Sequence, residues 1–257
     1  RWPSVRWLQL WTAGVSPQAC ETARERGVII TNSSGIHAES MAEQALAMML
    51  IFARKMQHVL CAESWDSQIG SHKPTVLTGS TLGVVGLGAI GRRLAELACT
   101  IGMRLIAVRR SPVPEAGFDW VGGQDRLPDL AAESDYVFNV LPLTQETSKI
   151  IDATFFASMK PTAVYLNFGR GGTTDTDALV AALRDGTIAA AGLDVTDPEP
   201  LPDGHPLWAL ENVILTPHYS GQFTGYNAAA MEIFLDNLRR YRDGEDMRNV
   251  VDTELCY

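Results

Sequence analysis

The stretch Gly86-Leu87-Gly88-Ala89-Ile90-Gly91 lies between an apolar run at 82–85 and a helical pattern that begins near Arg92. It has the spacing G-x-G-x-x-G, in which a structural requirement explains each glycine. Gly86 allows a tight turn, Gly88 lets a ligand approach the backbone, and Gly91 allows close helix–strand packing. A glycine-rich surface turn is the alternative interpretation. The strand-turn-helix context favours a diphosphate at the helix N-terminus, held by all six residues of the stretch.

Apolar runs alternate with helical patterns along the rest of the chain. Strands are predicted at 5–11, 28–31, 82–85, 104–108, 136–141, 164–167, 189–194 and 213–215. Helices are predicted at 17–26, closed by Gly27, and at 40–55, 92–101, 175–185 and 226–242. Ser40 and Glu43 have the spacing of a capping box for the 40–55 helix. The last six strands with right-handed crossovers predict an α/β fold with a doubly wound parallel sheet of the Rossmann type.

Composition and charge exclude several classes of protein. The chain has 257 residues, 46% of them hydrophobic and 20% charged, which are ordinary values for a folded protein with a sizeable core. Its formal net charge of -9 argues against nucleic-acid and anionic membrane partners. The apolar run at 45–53 is too short to span a bilayer, and the first residues lack the apolar core of a signal peptide.

The cysteines Cys20, Cys61, Cys99 and Cys256 are widely spaced and form no C-x-x-C pair. We therefore expect neither a zinc site nor a disulfide framework, and no other metal site. Four scattered thiols are typical of a reducing compartment, so a cytoplasmic location is predicted.

The end of the strand at 104–108 bears on the choice of dinucleotide. An NAD-selective site places a carboxylate there to bind the ribose 2′-OH. This chain has Arg109-Arg110-Ser111 instead, and two guanidinium groups with a hydroxyl suit a 2′-phosphate. Arginines that only solvate the strand end are the alternative. The sequence predicts NADP in preference to NAD.

Three polar residues follow strand ends on the side where this fold binds ligands. Arg170 stands between glycines after the strand at 164–167, and its fork of donors can hold a carboxylate. His218 follows the strand at 213–215 and is the natural proton carrier. A buried carboxylate beside it would favour the protonated ring, and Glu199, between Pro198 and Pro200, is the candidate. A structural histidine and a solvated acidic loop are the alternatives for each residue alone, and their joint occurrence favours catalysis. The other histidines are predicted to be structural: His37, His58, His72 and His205.

An ordered series of motifs gives the chain a specific resemblance. After the glycine stretch come Leu141-Pro142-Leu143-Thr144, the segment 167–171, Asp175, Gly192-Leu193-Asp194-Val195, Glu199-Pro200-Leu201 and Thr216-Pro217-His218. This series resembles the D-isomer-specific 2-hydroxyacid dehydrogenases, the family of glyoxylate/hydroxypyruvate reductases and phosphoglycerate dehydrogenases. The resemblance runs over essentially the whole chain. It implies a catalytic triad in which Arg170 binds the substrate carboxylate, His218 carries the proton and Glu199 tunes His218.

The resemblance also implies further contacts. Backbone N–H groups of Ala13 and Gly14 would hold the substrate carboxylate, and Asp194 would bind the nicotinamide carboxamide. The remaining cofactor contacts that it implies are Val140, Leu141, Pro142, Thr144, Asn167, Phe168, Gly169, His218 and Gly221. It further implies a homodimer and a flavodoxin-like substrate domain, of which this chain would hold only a part, since members of the family have further β-α units before Arg1. The predicted division is 1–38 and 219–257 for that domain and 39–218 for the dinucleotide-binding domain.

The function predicted from the sequence is reversible hydride transfer between NAD(P) and a small 2-oxo or 2-hydroxy acid. A cofactor-sensing binding protein without catalysis, like the corepressors built on the same scaffold, is the alternative. A third interpretation is that the chain is an inactive fragment.

Overall fold

The computed structural model describes residues 4–60, 62–65 and 73–256, so Cys61 and His72 lie outside the described residues. The chain divides into two compact units. Unit 1 comprises residues 1–37 and 222–257, and unit 2 comprises residues 38–221. The predicted division placed the boundaries after residues 38 and 218. Among the described residues, no helix combines the length and the apolar character that a membrane crossing requires.

Unit 2 is built on a parallel sheet of seven strands. In chain order these are β3 (Thr81–Val85), β4 (Arg104–Val108), β5 (Trp120–Gly122), β6 (Tyr136–Asn139), β7 (Val164–Asn167), β8 (Ala190–Leu193) and β9 (Val213–Leu215). Their order across the sheet is β5-β4-β3-β6-β7-β8-β9. The chain therefore proceeds outward from β3 in one direction, returns to β6 and continues in the other. This reversal between β3 and β6 is the point where doubly wound sheets bind ligands.

Helices cover both faces of this sheet. The helices of unit 2 are α2 (Ala38–Arg54), α3 (Ala89–Thr100), α4 (Leu127–Glu133), α5 (Ala153–Ser158) and α6 (Thr176–Arg184). Alternate residues of the strands enter two separate cores: Leu105 packs with α2 and α3, whereas Ile106 packs with α4, α5 and α6. Both side chains are almost fully buried. Burial on both faces explains why these strands read as continuous apolar runs.

The sequence located most elements but missed some of their ends. It did not predict β5, which has only three residues between polar and glycine-rich flanks. The predicted capping box is wrong, because α2 begins at Ala38 and Ser40 is the third residue of the helix. Helix α3 begins at Ala89 with Gly88 as its N-cap, three residues before the predicted start. Gly91 therefore lies within the first helical turn.

The described residues of unit 1 form two parallel strands and two α-helices. These are β1 (Trp7–Gln9), α1 (Pro17–Arg26), β2 (Ile29–Thr31) and α7 (Tyr226–Asp243). Helix α1 has the bounds predicted from the sequence, because the Ser16 side chain caps its first turn and Gly27 ends it in the left-handed conformation at φ 64°. The ring of Trp7 stacks on those of Phe234 and Tyr241 of α7.

A disulfide in unit 1 corrects the cysteine prediction. Cys20, on α1, is bonded to Cys256, and their Cα atoms are 5.9 Å apart. The two residues are separated by 236 positions, so only the tertiary packing of unit 1 brings them together. The spacing of the cysteines in the sequence held no sign of this pair. Cys99 is a free, exposed thiol.

Candidate active site

The ends of three neighbouring strands bring the predicted catalytic segments to one edge of the sheet. Asn167, Leu193 and Leu215, which end β7, β8 and β9, are register partners. Beyond the strands, the Asp194 N–H donates to the carbonyl of Asn167 at 3.0 Å, and the Thr216 N–H donates to the carbonyl of Leu193 at 2.9 Å. The segments that carry Arg170, Glu199 and His218 therefore leave the sheet side by side.

The loop that carries Arg170 is anchored by its own backbone. The Arg170 carbonyl accepts from the Thr173 hydroxyl at 2.7 Å and from the Thr173 N–H at 3.1 Å. One nitrogen of the exposed Arg170 guanidinium donates to the Gly169 carbonyl at 2.8 Å. The next residue, Gly171, packs so tightly on the backbone of Thr196 that a Cβ there would overlap its carbonyl. This close approach joins the Arg170 loop to the segment that leads to Glu199.

Glu199 and His218 form a direct pair. Nδ1 of His218 lies 2.6 Å from Oε1 of Glu199. The expectation of a buried carboxylate is wrong, since the side chain of Glu199 is 41% exposed and that of His218 is 47% exposed. The segment from Thr196 to Glu199 extends beyond the end of the sheet, where helices no longer cover it. The contact with Nδ1 fixes the orientation of the ring and leaves Nε2 as the nitrogen that can face a substrate.

The backbone of His218 has a conformation that is rare for a residue with a side chain. Its φ of 50° lies in the left-handed region, which costs roughly 1–2 kcal/mol for an L-residue. Its N–H donates to the carbonyls of Asp194 at 2.9 Å and of Thr216 at 3.0 Å. These two bonds hold the turn that presents the imidazole.

The side chain of Asp194 is the centre of a hydrogen-bond network beneath His218. Asp194 is 1% exposed. Its Oδ1 accepts from the Thr216 hydroxyl at 2.6 Å and from the Tyr219 N–H at 3.2 Å, and Oδ2 accepts from both the N–H and the hydroxyl of Ser220. Gln44 of α2 donates to Asp194 at 3.4 Å and to Thr216 at 3.1 Å. The carboxylate thus fixes residues on both sides of His218. Gln44 and Ser220 could not be identified from the sequence, because nothing in their local pattern indicates this contact.

The glycine stretch has the geometry that a dinucleotide requires. Gly86 has φ 100°, and Gly91 lies so close to β3 that a Cβ would be 2.7 Å from the Gly86 carbonyl oxygen. By contrast, a Cβ at Gly88 would meet nothing within 4 Å. The backbone at the N-terminus of α3 is therefore open to an incoming diphosphate. The side chain of Leu87 is buried, so its part in such a site falls to the backbone.

The segment after β6 lies next to the glycine stretch. A Cβ at Gly86 would be 3.2 Å from the Val140 carbonyl, and Gly169 packs against the backbone of Leu141. Beyond Pro142, a turn is closed by the hydroxyls of Thr144 and Thr147, which are 3.1 Å apart. Val140 and Leu141 therefore border the glycine stretch, and Gly169 packs against Leu141 in turn, close to the point where the strand order reverses.

Two predicted cofactor residues in this region use their side chains to stabilise the protein itself. Asn167 is 1% exposed, and its amide donates to the Thr174 hydroxyl at 3.1 Å and accepts from the Gly169 N–H at 3.1 Å. The ring of Phe168 is buried against Phe138. The side chain of Phe168 therefore belongs to the core, so a cofactor contact of this residue would fall to its backbone and stays a prediction.

A buried hydroxyl supports the same region from below. Tyr165 of β7 is fully buried, and its hydroxyl is 2.8 Å from the Asn139 amide nitrogen and 2.6 Å from the Thr174 hydroxyl. Burial raises the pKa of the Tyr165 hydroxyl well above its usual range, so it stays protonated at physiological pH. This network ties β6 and β7 to the start of α6.

Ion pairs lie at the other end of the site, after β4. Arg109 follows β4 directly, and its Nη1 lies 3.5 Å from Oε2 of Glu115. Glu115 also accepts two hydrogen bonds from Arg92 of α3, at 2.5 and 3.0 Å. Arg110 and Ser111 are exposed. Arg109, one of the two predicted phosphate-binding arginines, is thus close to a carboxylate that the sequence pattern did not indicate.

The predicted substrate loop of unit 1 is held by its carbonyl groups. The Asn32 amide donates to the carbonyl of Ala13 at 2.7 Å, and the Thr12 hydroxyl donates to that of Gly14 at 3.0 Å. The amide N–H groups of Ala13 and Gly14 are not the groups that fix the loop. Their role in substrate binding stays a prediction.

Comparison with known proteins identifies the family. Residues 46–220 match the family model described as "D-isomer specific 2-hydroxyacid dehydrogenase, NAD binding domain". The chain belongs to this family. Its seven-stranded parallel sheet is the Rossmann-type fold of a dinucleotide-binding domain, and its cofactor is NAD(P).

Similar proteins cover nearly the whole chain. A glyoxylate reductase from Aeropyrum pernix is 36% identical over 98% of this chain and 78% of its own length. A solved D-isomer specific 2-hydroxyacid dehydrogenase from Xanthobacter autotrophicus Py2, in complex with NADPH and MES, has a TM-score of 0.86 and 33% identity over 99% of this chain and 80% of that chain. The NADPH-dependent glyoxylate/hydroxypyruvate reductase of Sinorhizobium meliloti, in complex with NADP and malonate, has a TM-score of 0.81 and 29% identity, with the same two shares covered. Together these similarities make the chain an oxidoreductase.

Proposed function

We propose that the protein reduces a small 2-oxo acid, such as glyoxylate or hydroxypyruvate, to its D-2-hydroxy acid, with NADPH preferred over NADH. The observation that carries this proposal is the His218–Glu199 pair, 2.6 Å apart, at the sheet edge that also carries Arg170. The names of the Aeropyrum and Sinorhizobium relatives support the substrate class. A proton carrier and a carboxylate-binding group are what reduction of such an acid requires.

The nicotinamide supplies the hydride, and the residues of this chain supply the proton and the electrostatic stabilisation. When the carbonyl carbon of the substrate gains the hydride, its oxygen becomes an alkoxide. Protonated His218 donates a hydrogen bond from Nε2 to that oxygen and then transfers the proton. Glu199 stabilises the imidazolium through Nδ1. In the reverse direction neutral His218 takes the hydroxyl proton.

Arg170 positions the substrate in this mechanism. Its exposed guanidinium, steadied by the bond from one nitrogen to the Gly169 carbonyl, keeps further N–H donors for a carboxylate. Binding of the substrate carboxylate at Arg170 directs the adjacent carbonyl oxygen toward the imidazole of His218. The contribution is one of orientation, which can supply a large part of a catalytic effect.

The cofactor preference rests on Arg109 and Arg110. A 2′-phosphate carries up to two negative charges and accepts several hydrogen bonds, whereas a ribose hydroxyl has no charge. We expect the double change of Arg109 and Arg110 to Gln to raise the Kd for NADPH about tenfold or more and to change that for NADH less than about twofold. An unchanged NADPH affinity would refute this site.

A homodimer and a cytoplasmic location complete the proposal. Leu50, Leu60 and Trp65 are exposed at and after the end of α2, with Trp65 95% exposed, which supports burial against a second copy. Light scattering after size-exclusion chromatography tests the dimer, and a monomer at micromolar concentration would contradict it. Two of the four cysteines form a disulfide and therefore do not support a reducing compartment. Fractionation of the native cell tests the location.

The activity itself is tested by steady-state kinetics with a panel of 2-oxo acids and both reduced cofactors. We expect oxidation of NADPH with glyoxylate or hydroxypyruvate. His218→Ala should lower kcat by about 100- to 10,000-fold and leave the Kd for NADPH within about twofold. His205→Ala is the matched control, because His205 only caps a 3-10 turn through its bond from the Leu207 N–H. Tight NADPH binding without turnover of any substrate would favour the cofactor-sensing alternative.

A further inference from the structure

The choice between NAD and NADP was predicted above only from the residues directly after β4. On that basis the chain lacks the carboxylate of an NAD site, since Arg109, Arg110 and Ser111 follow Val108. The fold nevertheless brings a carboxylate to this place. Glu115 follows the end of β4 by seven residues, and its Oε2 is 3.5 Å from Nη1 of Arg109.

Glu115 is held on its other side by the diphosphate helix. Nε and Nη2 of Arg92 donate to its two carboxylate oxygens at 2.5 and 3.0 Å, a bidentate pair. The hydrogen bond that Arg92 donates to Glu115 raises the pKa of the Arg92 guanidinium. Arg92 lies in the first turn of α3, one residue after Gly91. The carboxylate thus bridges the helix that would receive the diphosphate and the strand end that would receive the adenosine ribose.

Glu115 is held more closely by Arg92 than by Arg109. Arg92 makes two contacts, at 2.5 and 3.0 Å, whereas Arg109 makes one longer contact, at 3.5 Å. An anionic ligand can therefore bind Arg109 while Glu115 stays paired with Arg92. The side chains of Arg92, Arg109 and Glu115 are 41, 29 and 26% exposed, so an incoming ligand can reach the cluster.

We propose that Glu115 is a specificity-determining residue that restrains the NADP preference of this site. In the absence of a 2′-phosphate it neutralises part of the charge on Arg109, so that the site also accepts NADH. When a 2′-phosphate is bound, the same carboxylate lies near a like charge and weakens its binding. This inference rests on the proposed function, namely that the site at 109–111 holds the ribose end of the cofactor.

The test is the ratio of the Kd values for NADH and NADPH, measured by nicotinamide fluorescence on the purified protein. We expect E115Q to raise the preference for NADPH about fivefold, because the amide keeps the shape of the side chain and removes the charge. E96Q is the matched control: Glu96 is a carboxylate on α3 that pairs with the neighbouring Arg93, and its change should leave the ratio unchanged. An unchanged or reduced NADPH preference in E115Q overturns the inference.

A second variant, R92Q, should change the NADPH preference in the direction opposite to E115Q. R92Q removes the residue that holds Glu115, which leaves the carboxylate to Arg109 alone and should lower the NADPH preference about threefold. Arg92 also lies near the diphosphate position, but both cofactors share the diphosphate, so the ratio isolates the ribose end. A change in the same direction as E115Q contradicts the inference.

Failure of the inference and failure of the proposed function give different results. If R109Q leaves the Kd for NADPH unchanged, the ribose end lies elsewhere and the proposed cofactor site is wrong. If R109Q weakens NADPH binding while E115Q leaves the ratio unchanged, the cofactor site stands and only the role of Glu115 is wrong.

Discussion

The two ends of the site are held by different forces. Below His218, the carboxylate of Asp194 is 1% exposed and accepts hydrogen bonds from both sides of the catalytic turn. After β4, Arg109 and Glu115 are roughly a quarter exposed and share one long ion pair. Buried hydrogen bonds fix a geometry because an unsatisfied buried group is costly. Exposed charges fix much less, since water and salt compete with them.

From this difference we expect one end of the site to serve proton transfer and the other to serve cofactor discrimination. Proton transfer needs an imidazole held within a few tenths of an ångström, and the buried network provides such a hold. Discrimination between two cofactors needs charges that can exchange partners, and exposed ion pairs allow the exchange. Variants at the buried end should therefore change kcat, and variants or salt at the exposed end should change cofactor affinity.

Among variants that leave the three catalytic side chains in place, Gly171→Ala has the largest expected effect. The added Cβ would overlap the backbone of Thr196, so the Arg170 loop must move away from the segment that leads to Glu199. We expect kcat/KM to fall by at least about 100-fold and the free energy of unfolding to fall by about 1–3 kcal/mol. Steady-state kinetics and urea unfolding measure the two effects.

Gly172→Ala is the matched control for this change. A Cβ there would first meet the Leu143 side chain, 3.0 Å away, and a side chain can move where a backbone cannot. We expect kcat/KM to change by less than about threefold. Equal losses in the two variants would show that the junction at Gly171 has no special importance.

Asp194→Asn has the next largest expected effect. The amide keeps the shape of the side chain, but its NH2 group must face one of the two N–H donors, Tyr219 or Ser220. We expect kcat to fall about 30-fold and the free energy of unfolding to fall by about 1.5–3 kcal/mol. Kinetics at saturating cofactor and chemical denaturation provide the measurements.

The control and the contrary outcome separate positioning from stability. Asp152→Asn changes a capping carboxylate of α5, which accepts from the Phe155 N–H at 2.9 Å, and should lower stability without lowering kcat. A D194N protein with an unchanged kcat and a raised KM for NADPH would instead assign Asp194 to the nicotinamide carboxamide alone.

These contrasts also explain what the sequence could predict. Arg170, Glu199 and His218 could be picked out because each follows the end of a parallel strand, and such ends meet at one edge of a sheet. Gln44 and Glu115 could not, because their contacts depend on how α2 and the 110–118 segment pack. The exposure of Glu199 and the Cys20–Cys256 bond were predicted wrongly for the same reason: both depend on tertiary packing.

Salt should separate the two ends with a moderate effect. The Debye length shortens from about 20 Å at ~0.02 M salt to about 4 Å at ~0.5 M, which weakens attraction between exposed arginines and a phosphate. Over this range we expect the KM for NADPH to rise about fivefold and kcat to change less than about twofold. The measurement is a salt titration of both parameters with NADPH and NADH. A parallel loss of kcat would mean that the catalytic turn also depends on exposed charges.

The smallest expected effect concerns Asp175, which makes both a capping hydrogen bond and an exposed ion pair. Its Oδ1 accepts from the Ala178 N–H at 3.2 Å as the N-cap of α6, and its Oδ2 lies 3.4 Å from the ammonium of Lys149. The capping bond and then the lysine hold the pKa of Asp175 below its usual range. Because the pKa is lower in the folded state, the stabilisation is present above the pKa of the unfolded chain. It is lost as the pH falls through the folded-state value.

Variants at Asp175 and Lys149 show which of the two forces matters more. We expect Asp175→Ala to lower the free energy of unfolding by about 1 kcal/mol at neutral pH, and by less as the pH falls toward the lowered pKa of the wild-type carboxyl. Asp175→Asn keeps a capping oxygen and Lys149→Met removes only the ion pair, so each should cost less than about 0.5 kcal/mol. Urea unfolding at about pH 7 and about pH 3 measures all three. A loss in Lys149→Met as large as that in Asp175→Ala would mean that exposed charge, rather than the capping hydrogen bond, stabilises the start of α6.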